Sequence, residues 1–493
     1  MAGKVSPHIE ERRRDISPEV FKIHAHKSVD WIAEYLENMN QYPVLSRSRP
    51  GDLKARIPSS PPATSEPLEK ITTDFREIIL PGITHWNHPR FFGYFSITST
   101  YPGIIGEMLC STLNVNAMLW KTSPSATELE EVVTDWVRQM LGLPENFQGV
   151  INDTASVSSL CAIAAAREYA GLNIRENGLA GVNLPKLRIY TSEEAHSSIE
   201  KAAIVLGIGQ RGVNKIQTDK AFRMDIEVLT QRVEEDIASG VKPICIIPTI
   251  GTTSTTSIDP VKEISEICTR YGIWLHVDAA YGGSAATVAE MRPLFTGWEN
   301  ADSIVVNPHK WLFTPLDCSI LYCRRAEVLR QAFSLTPEYL RTGEADSVTN
   351  LMDYGVSLGR RFRALKLWMI IRALGTKRIA NTIQEHISYA KRLAKIIEST
   401  PSFELLAPVP FSTVVFRFSP KVVIDNNEEI NALNEKLMET VNQTGQIFLS
   451  HTKLRGKFGI RLTVGNIKTT WDDVALAWDI IREKAKELFD TRY

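Results

Sequence analysis

The clearest periodicity in the chain lies over 129–141. Leu129, Val132, Val133, Trp136, Val137, Met140 and Leu141 alternate three- and one-residue steps, which predicts a helix with one buried stripe. Ser123-Pro124 stands before it as an opening signal, with proline at the first helical position. Further on, short runs are apolar on both faces: 187–190, 244–249, 273–277, 303–306 and 318–322. They alternate with helical stretches, which predicts an α/β architecture with a large, mostly parallel sheet covered on both sides. Ser17-Pro18 opens an earlier helix through Val29, Trp31, Ile32, Tyr35 and Leu36, and Ser59-Ser60-Pro61-Pro62-Ala63-Thr64 reads as a linker. A further short helix over 67–79 runs to Pro81-Gly82. Two helices and a linker bury little by themselves, so residues 1–84 are expected to form an N-terminal helical arm packed elsewhere, with a partner subunit as one candidate. Residues 85–375 are expected to form the large α/β domain. A long helical region to about 399, strands over 411–418 and 458–464 and a closing helix over 472–488 predict a small α+β C-terminal domain at 376–493.

Composition narrows the class. The chain has 493 residues, 43% hydrophobic and 23% charged, the profile of a globular protein long enough to need no disulfide or metal staple. Its 56 Lys and Arg against 57 Asp and Glu leave a net charge of −1, without the broad positive field that nonspecific nucleic-acid binding requires. The six cysteines form no Cys-x-x-Cys pair, and most sit in apolar surroundings such as Ile244-Cys245-Ile246. They read as buried thiols in a reducing compartment. Arg12-Arg13-Arg14 is followed by no apolar stretch, so no secretory signal is expected, and no run is long enough to span a bilayer. The expectation is a cytoplasmic enzyme without membrane, nucleic acid or metal.

Candidate chemistry sits at the carboxyl ends of the apolar runs, where open α/β sheets bind ligands. One run ends in Asp278-Ala279-Ala280-Tyr281-Gly282-Gly283 and another in Asn307-Pro308-His309-Lys310-Trp311, which points Asp278 and Lys310 toward one crevice. That pair reads either as a buried salt bridge or as a desolvated, nucleophilic amine with a carboxylate opposite. Pyridoxal phosphate needs such a lysine, a carboxylate for its ring nitrogen and a phosphate cradle. Asn152-Asp153-Thr154-Ala155-Ser156 lies between the Gly149-Val150-Ile151 strand and a helix over 157–166. It serves equally as a helix cap or as a phosphate site. Ala195-His196-Ser197-Ser198 and Thr249-Ile250-Gly251-Thr252-Thr253 follow two further strands.

These motifs resemble, in order and over nearly the whole chain, the group II pyridoxal-phosphate decarboxylases, specifically the aromatic L-amino-acid decarboxylases. Thr84-His85-Trp86, Phe91-Phe92-Gly93-Tyr94-Phe95, Ser123-Pro124, Ala195-His196-Ser197-Ser198, His276-Val277-Asp278-Ala279-Ala280-Tyr281, Asn307-Pro308-His309-Lys310-Trp311 and Gly359-Arg360-Arg361-Phe362-Arg363 carry the resemblance. It implies the aspartate aminotransferase fold (fold type I of the pyridoxal-phosphate transferases) and a homodimer with N-terminal helices packed across the interface. By the same resemblance Lys310 binds the cofactor covalently, Asp278 holds its ring nitrogen protonated and His196 stacks on the ring. Ala155, Ser156, Asn307 and His309 match phosphate contacts, and Thr253 and Ala280 match residues lining the cofactor. Trp86, Tyr94 and Ser96 match the aromatic substrate pocket, with Asn116 and Met118 in the stretch supplied by the other subunit. Gly359 matches the form found in relatives that accept indoles. A tyrosine on a mobile loop assists protonation in the family; the stretch 342–350 matches that loop and Asp353-Tyr354 its Asp-Tyr.

The chain departs from the family pattern in two places. The usual Trp-Gln after that tyrosine is absent and the segment to Gly359 is shorter, while Val157 replaces a common Glu. The implied reaction is decarboxylation of tryptophan, 5-hydroxytryptophan, dopa, tyrosine or phenylalanine to the arylalkylamine and carbon dioxide. The alternative is oxidative conversion to the aldehyde, as in relatives with an altered Tyr or His. Gly207-Ile208-Gly209-Gln210-Arg211-Gly212 also matches a dinucleotide fingerprint, which keeps a nicotinamide oxidoreductase as a remote alternative. The stretch before it reads as helix, so those glycines are expected to end that helix. His85 and His88 could suggest a metal but lack a third ligand nearby. A catalytically inactive scaffold is opposed by Lys310, Asp278 and His196.

Overall fold

The computed structural model describes residues 14–335, 347–420 and 426–492. Its large sheet contains β1 (Gln148–Asn152), β2 (Leu187–Ser192), β3 (Val213–Ile216), β4 (Lys242–Ile247), β5 (Trp274–Asp278), β6 (Ser303–Val306) and β7 (Ser319–Cys323). The strand order is β1-β7-β6-β5-β4-β2-β3. From β6 to β3 every neighbouring pair is parallel, and β7 runs antiparallel to both β1 and β6. The central strands β5, β6 and β7 are buried along their whole length, which is why their sequences are apolar on both faces. The edge strand β3, Val213-Asn214-Lys215-Ile216, is partly exposed and carries two adjacent polar residues, so a search for doubly apolar runs passes over it.

The helices that matter for the site are α1 (Pro18–Glu37), α2 (Tyr101–Leu113), α3 (Pro124–Leu141), α4 (Ala155–Tyr169), α5 (Ser198–Val205), α6 (Ala364–Leu374), α7 (Thr376–Ser399), α8 (Asn427–Gln443) and α9 (Trp471–Arg492). The stripe read from the sequence is the buried face of α3, through Val133, Val137, Met140 and Leu141. The single helical region expected to reach 399 is two helices. Gly375, at φ 73°, breaks the path between α6 and α7, a left-handed position that costs glycine little. The short helix expected over 67–79 is α-helical only for Leu68–Asp74, then widens into a π turn at Phe75–Ile79.

A second sheet holds β8 (Phe403–Leu405), β9 (Thr413–Phe418), β10 (Ser450–Leu454) and β11 (Lys457–Thr463), antiparallel in the order β10-β11-β9-β8. Leu393 and Ile397 of α7, Leu433 and Leu437 of α8 and Val474 and Trp478 of α9 pack with Val414, Phe416, Ile460 and Leu462 as one apolar cluster. The edge strands β8 and β10 were not legible as apolar runs, and neither was α8. Its stripe Ile430, Leu433, Leu437 and Val441 was present on an otherwise polar segment.

Two links fix the end of β1. The Glu130 carboxylate on α3 accepts the Ile151 N–H at 2.8 Å and pairs with the Arg360 guanidinium at 2.5 Å, while Arg360 also donates to the Ile151 carbonyl at 2.9 Å. Both side chains are buried, so removing one leaves the other charge without compensation. Arg360→Ala is expected to lower stability by about 3–5 kcal/mol, measured as a lower midpoint of thermal or denaturant unfolding.

Candidate active site

The carboxyl ends of the sheet strands surround a cavity of about 190 Å³. Its lining brings together Ala155, Ser156, His196, Thr253, Asp278, Ala280, Asn307, His309 and Lys310, residues expected from five separate motifs. The logic is topological: parallel strands end on the same side, so side chains just beyond β1, β2, β4, β5 and β6 converge. Asp278 is the last residue of β5, and its carboxylate accepts the Ala280 N–H at 3.1 Å. Asn307 and Lys310 follow β6 through a short helical turn at Pro308–Trp311.

Electrostatics set the protonation of the cavity. Burial lowers the Lys310 amine from its ordinary value, the Asp278 carboxylate opposes that shift and the Arg461 guanidinium adds to it. Asp278 and Lys310 both line the cavity without forming a contact ion pair, so the salt-bridge reading gives way to a buried amine facing a carboxylate across open space. Burial also lowers His196. Its Nδ1 accepts from the Ser198 N–H at 3.2 Å and lies 2.9 Å from the Ser198 hydroxyl; a backbone N–H only donates, so the neutral ring carries its proton on Nε2. His309 is pushed down to about 3 by burial and by Lys310, and its Nδ1 accepts the Cys318 N–H at 3.0 Å. It too is neutral with a proton on Nε2.

One end of the cavity suits an anion. Helix α4 begins at Ala155 with no side-chain cap, leaving first-turn N–H groups open to a ligand. The Asn307 Oδ1 and Thr249 Oγ1 atoms nearby are buried without hydrogen-bond partners among the described residues. Together with the amine and the carboxylate, these groups fit pyridoxal phosphate: an anion cradle, a carboxylate, and an amine able to bind an aldehyde. Among the described residues, no group of three His, Cys, Asp or Glu side chains could hold a metal. His85 instead pairs with the Tyr35 hydroxyl at 2.6 Å, and the His88 Nδ1 accepts the Arg90 N–H at 3.0 Å.

The remaining expected site residues lie outside this cavity. Trp86 and Tyr94 belong to an aromatic group with Phe91 and Phe448, the Trp86 and Tyr94 rings 5.8 Å apart. Ser96 is buried and donates to the Phe91 carbonyl at 3.4 Å. Asn116, Met118 and Gly359 form a separate surface group. The Asn116 Oδ1 accepts the Arg360 N–H at 2.9 Å, its Nδ2 lies 3.4 Å from the Met118 sulfur, and a Cβ on Gly359 would meet only that Nδ2. Tyr354 is partly buried against the apolar cluster that includes Cys161, Ala165 and Leu329, and within the chain it does not line the cavity around Lys310. Of the expected mobile loop, residues 342–346 lie outside the described residues.

The sequence reading passed over Phe95 and Tyr281. The Lys310 amine lies 5.0 Å from the centroid of the Phe95 ring, which stacks on Tyr281 at 3.8 Å, and Tyr281 stacks on Trp311 at 4.6 Å. Both residues stood inside quoted motifs; what was missing was the direction of their rings. The Gly-x-Gly-x-x-Gly stretch follows helix α5, with Gly207 at φ 76° and Gly209 at φ 78°, and precedes β3. That is the reverse of the strand–turn–helix order a dinucleotide site needs.

An amine, a carboxylate and a phosphate cradle at the strand ends of this fold define a pyridoxal-phosphate enzyme. The pyridoxal-dependent decarboxylase conserved domain matches residues 50–419, and the chain belongs to that family. It is 40% identical over 486 residues to the tryptophan decarboxylase of Camptotheca acuminata, covering 96% of each chain. It is 38% identical over 491 residues to the phenylacetaldehyde synthase of Rosa hybrid cultivar, covering 97% of this chain and 96% of that one. The solved structure of Oryza sativa TDC with pyridoxal phosphate and tryptamine superposes with a TM-score of 0.93 at 34% identity, covering 97% of this chain and 99% of that one. The fold is therefore the pyridoxal-phosphate transferase-like one, and pyridoxal phosphate is the cofactor.

Asp278→Asn keeps the shape of the cavity and removes its negative charge. Turnover is expected to fall by roughly 10²–10³, with the visible absorbance of bound cofactor retained.

Proposed function

We propose that the chain removes the α-carboxylate of an aromatic L-amino acid as carbon dioxide and releases the arylalkylamine, working as a cytoplasmic homodimer. The observation that carries this reading is the cavity in which a buried amine, a facing carboxylate and a neutral imidazole with its proton on Nε2 meet beside an open helix N-terminus. When bound, pyridoxal phosphate supplies an electron sink for the pair left behind by carbon dioxide.

The roles of the chain's residues follow from their chemistry. Lys310, its proton affinity lowered by burial, is the amine that binds the cofactor aldehyde. Asp278 is an acceptor for a protonated ring nitrogen. Ala155, Ser156, Asn307 and His309 hold the phosphate through backbone N–H, amide and imidazole donors. His196 covers the ring and keeps a proton on Nε2, and Thr253 and Ala280 border the ring. Trp86, Tyr94 and Ser96 shape an apolar seat for the aromatic side chain. Tyr354 packs against an apolar cluster that includes residues of α4 within the chain, and the proton for the substrate carbon is assigned to it only where the second copy completes the pocket.

Homodimerisation accounts for two features. The Asn116, Met118 and Gly359 group, expected at the pocket, sits apart from Lys310 in one chain. Around it Val356 is 62% exposed and Leu358 48%, while Ile105, Met108, Leu109 and Leu113 of α2 and Phe21 and Ile23 of α1 are exposed as well. Apolar surface of that extent marks a contact with another chain, and a second copy supplies the missing wall of the pocket. Six free cysteines, all buried, agree with a reducing compartment, and no helix among the described residues is long and apolar enough to cross a membrane.

Conversion to the aldehyde is the second reading, since a phenylacetaldehyde synthase stands among the relatives. The retained His196, neutral and oriented, favours simple decarboxylation. Purified enzyme given L-tryptophan, L-tyrosine and L-dopa in turn, with amine, aldehyde and peroxide measured, is expected to yield amine and carbon dioxide in equal amounts. Tryptophan should be the best substrate, in keeping with Gly359. Aldehyde and peroxide in proportion would replace this reading with the oxidative one.

A further inference from the structure

One buried cation plays no part in the assignments above. Arg461 lies on β11 of the second sheet and is 4% exposed, with no carboxylate among the described residues paired to it and its Nη2 atom without any partner. Its other donors go to main-chain carbonyls. Nη1 donates to Tyr94 and Nε to Ser254 at 3.2 Å. Those carbonyls belong to the residues next to Phe95 and Thr253, both of which line the cavity. The guanidinium carbon stands 4.6 Å from the centroid of the same Phe95 ring that the Lys310 amine approaches at 5.0 Å. Tyr281 covers Phe95 at 3.8 Å, so the amine and the guanidinium share a ring already stacked against another aromatic. A second tie from the same sheet, Thr452 to the Ser254 hydroxyl at 2.8 Å, holds the same loop.

We propose that Arg461 is a positioning residue for the reaction: a charge carried from the small C-terminal sheet to the Phe95 ring, which favours the free-base form of the Lys310 amine and braces the Phe95 and Thr253 segments around it. The inference rests on the reading of Lys310 as the reactive amine. A like charge near a buried ammonium disfavours the ammonium. Burial draws Arg461 down to about 10, still protonated at neutral pH. The groups facing Lys310 are Asp278 from β5, which favours the ammonium, Arg461 from β11, which opposes it, and His196 from the segment after β2, which is neutral; His309 on its own turn is neutral as well. Arg461 is thus the standing positive charge set against Asp278, and it reaches the site only while the second sheet is seated on the first.

Competitive labelling of the full-length, cofactor-free protein with acetic anhydride across pH, read for the Lys310 peptide by mass spectrometry, gives the titration midpoint of that amine without any turnover. In the unaltered protein the midpoint is expected below the ordinary lysine value of about 10.4. An ordinary midpoint there would overturn the reading of Lys310 and this proposal with it. In Arg461→Gln the midpoint is expected to rise by about one pH unit, a roughly tenfold slower labelling at pH 8. A low midpoint in the unaltered protein that stays unchanged in Arg461→Gln would overturn the role of Arg461 alone. Arg461→Lys keeps the charge and loses the paired carbonyl bonds, so its midpoint should stay near that of the unaltered protein. A rise in the lysine variant equal to that in the glutamine variant would show loosened packing rather than charge, and would also overturn the proposal, whether or not the glutamine variant folds.

Discussion

A lysine amine held in a buried cavity, facing a carboxylate that it does not touch, is the constraint on which the rest of the site depends. An ammonium there gives up much of its hydration without gaining a contact carboxylate, so burial lowers the proton affinity of the amine and makes the free base, the form that attacks an aldehyde, easier to reach. Moving Asp278 into contact would form an ion pair and favour the ammonium. The sheet prevents this by fixing Asp278 at the end of β5 and Lys310 on the turn after β6, two neighbouring parallel strands. Partial desolvation lowers His196 and burial lowers His309, and each ring is fixed by a backbone N–H at Nδ1. The charges that act on the amine are the Asp278 carboxylate and the Arg461 guanidinium, which pull its proton affinity in opposite directions.

Much of this was legible in the sequence because parallel central strands are apolar on both faces and their ends carry the chemistry. Asp278, Asn307, His309 and Lys310 could be read directly from what followed Trp274–Asp278 and Ser303–Val306. What could not be read has a common cause. Edge strands such as Val213–Ile216 and Ser450–Leu454 are half exposed and imitate loops. Phe95 and Arg461 reach the amine only through tertiary folding, from opposite ends of the chain, and no local pattern announces that meeting. The role expected of Tyr354 rests on motif order, and within one chain the residue packs against the apolar cluster that includes Cys161 and Leu329.

The architecture also divides the labour between layers. The large sheet supplies the amine, the carboxylate and the anion cradle, while the second sheet supplies a charge and two braces on the segments bearing Phe95 and Thr253. The groups expected to select the substrate are split between the Trp86 and Tyr94 cluster and the Asn116, Met118 and Gly359 surface. The cavity around Lys310 is lined by residues of one chain, and the groups expected to select the substrate lie apart from it. Substrate choice can then diverge among relatives without disturbing the amine chemistry.

The central claim is that Lys310 is the amine that holds the cofactor, and it is tested most directly by chemical trapping. Borohydride reduction of the purified, cofactor-loaded protein followed by proteolysis and mass spectrometry should find one phosphopyridoxyl group per chain, on the peptide containing Lys310. Modification confined to another lysine, or a Lys310 peptide of unchanged mass, would contradict the account.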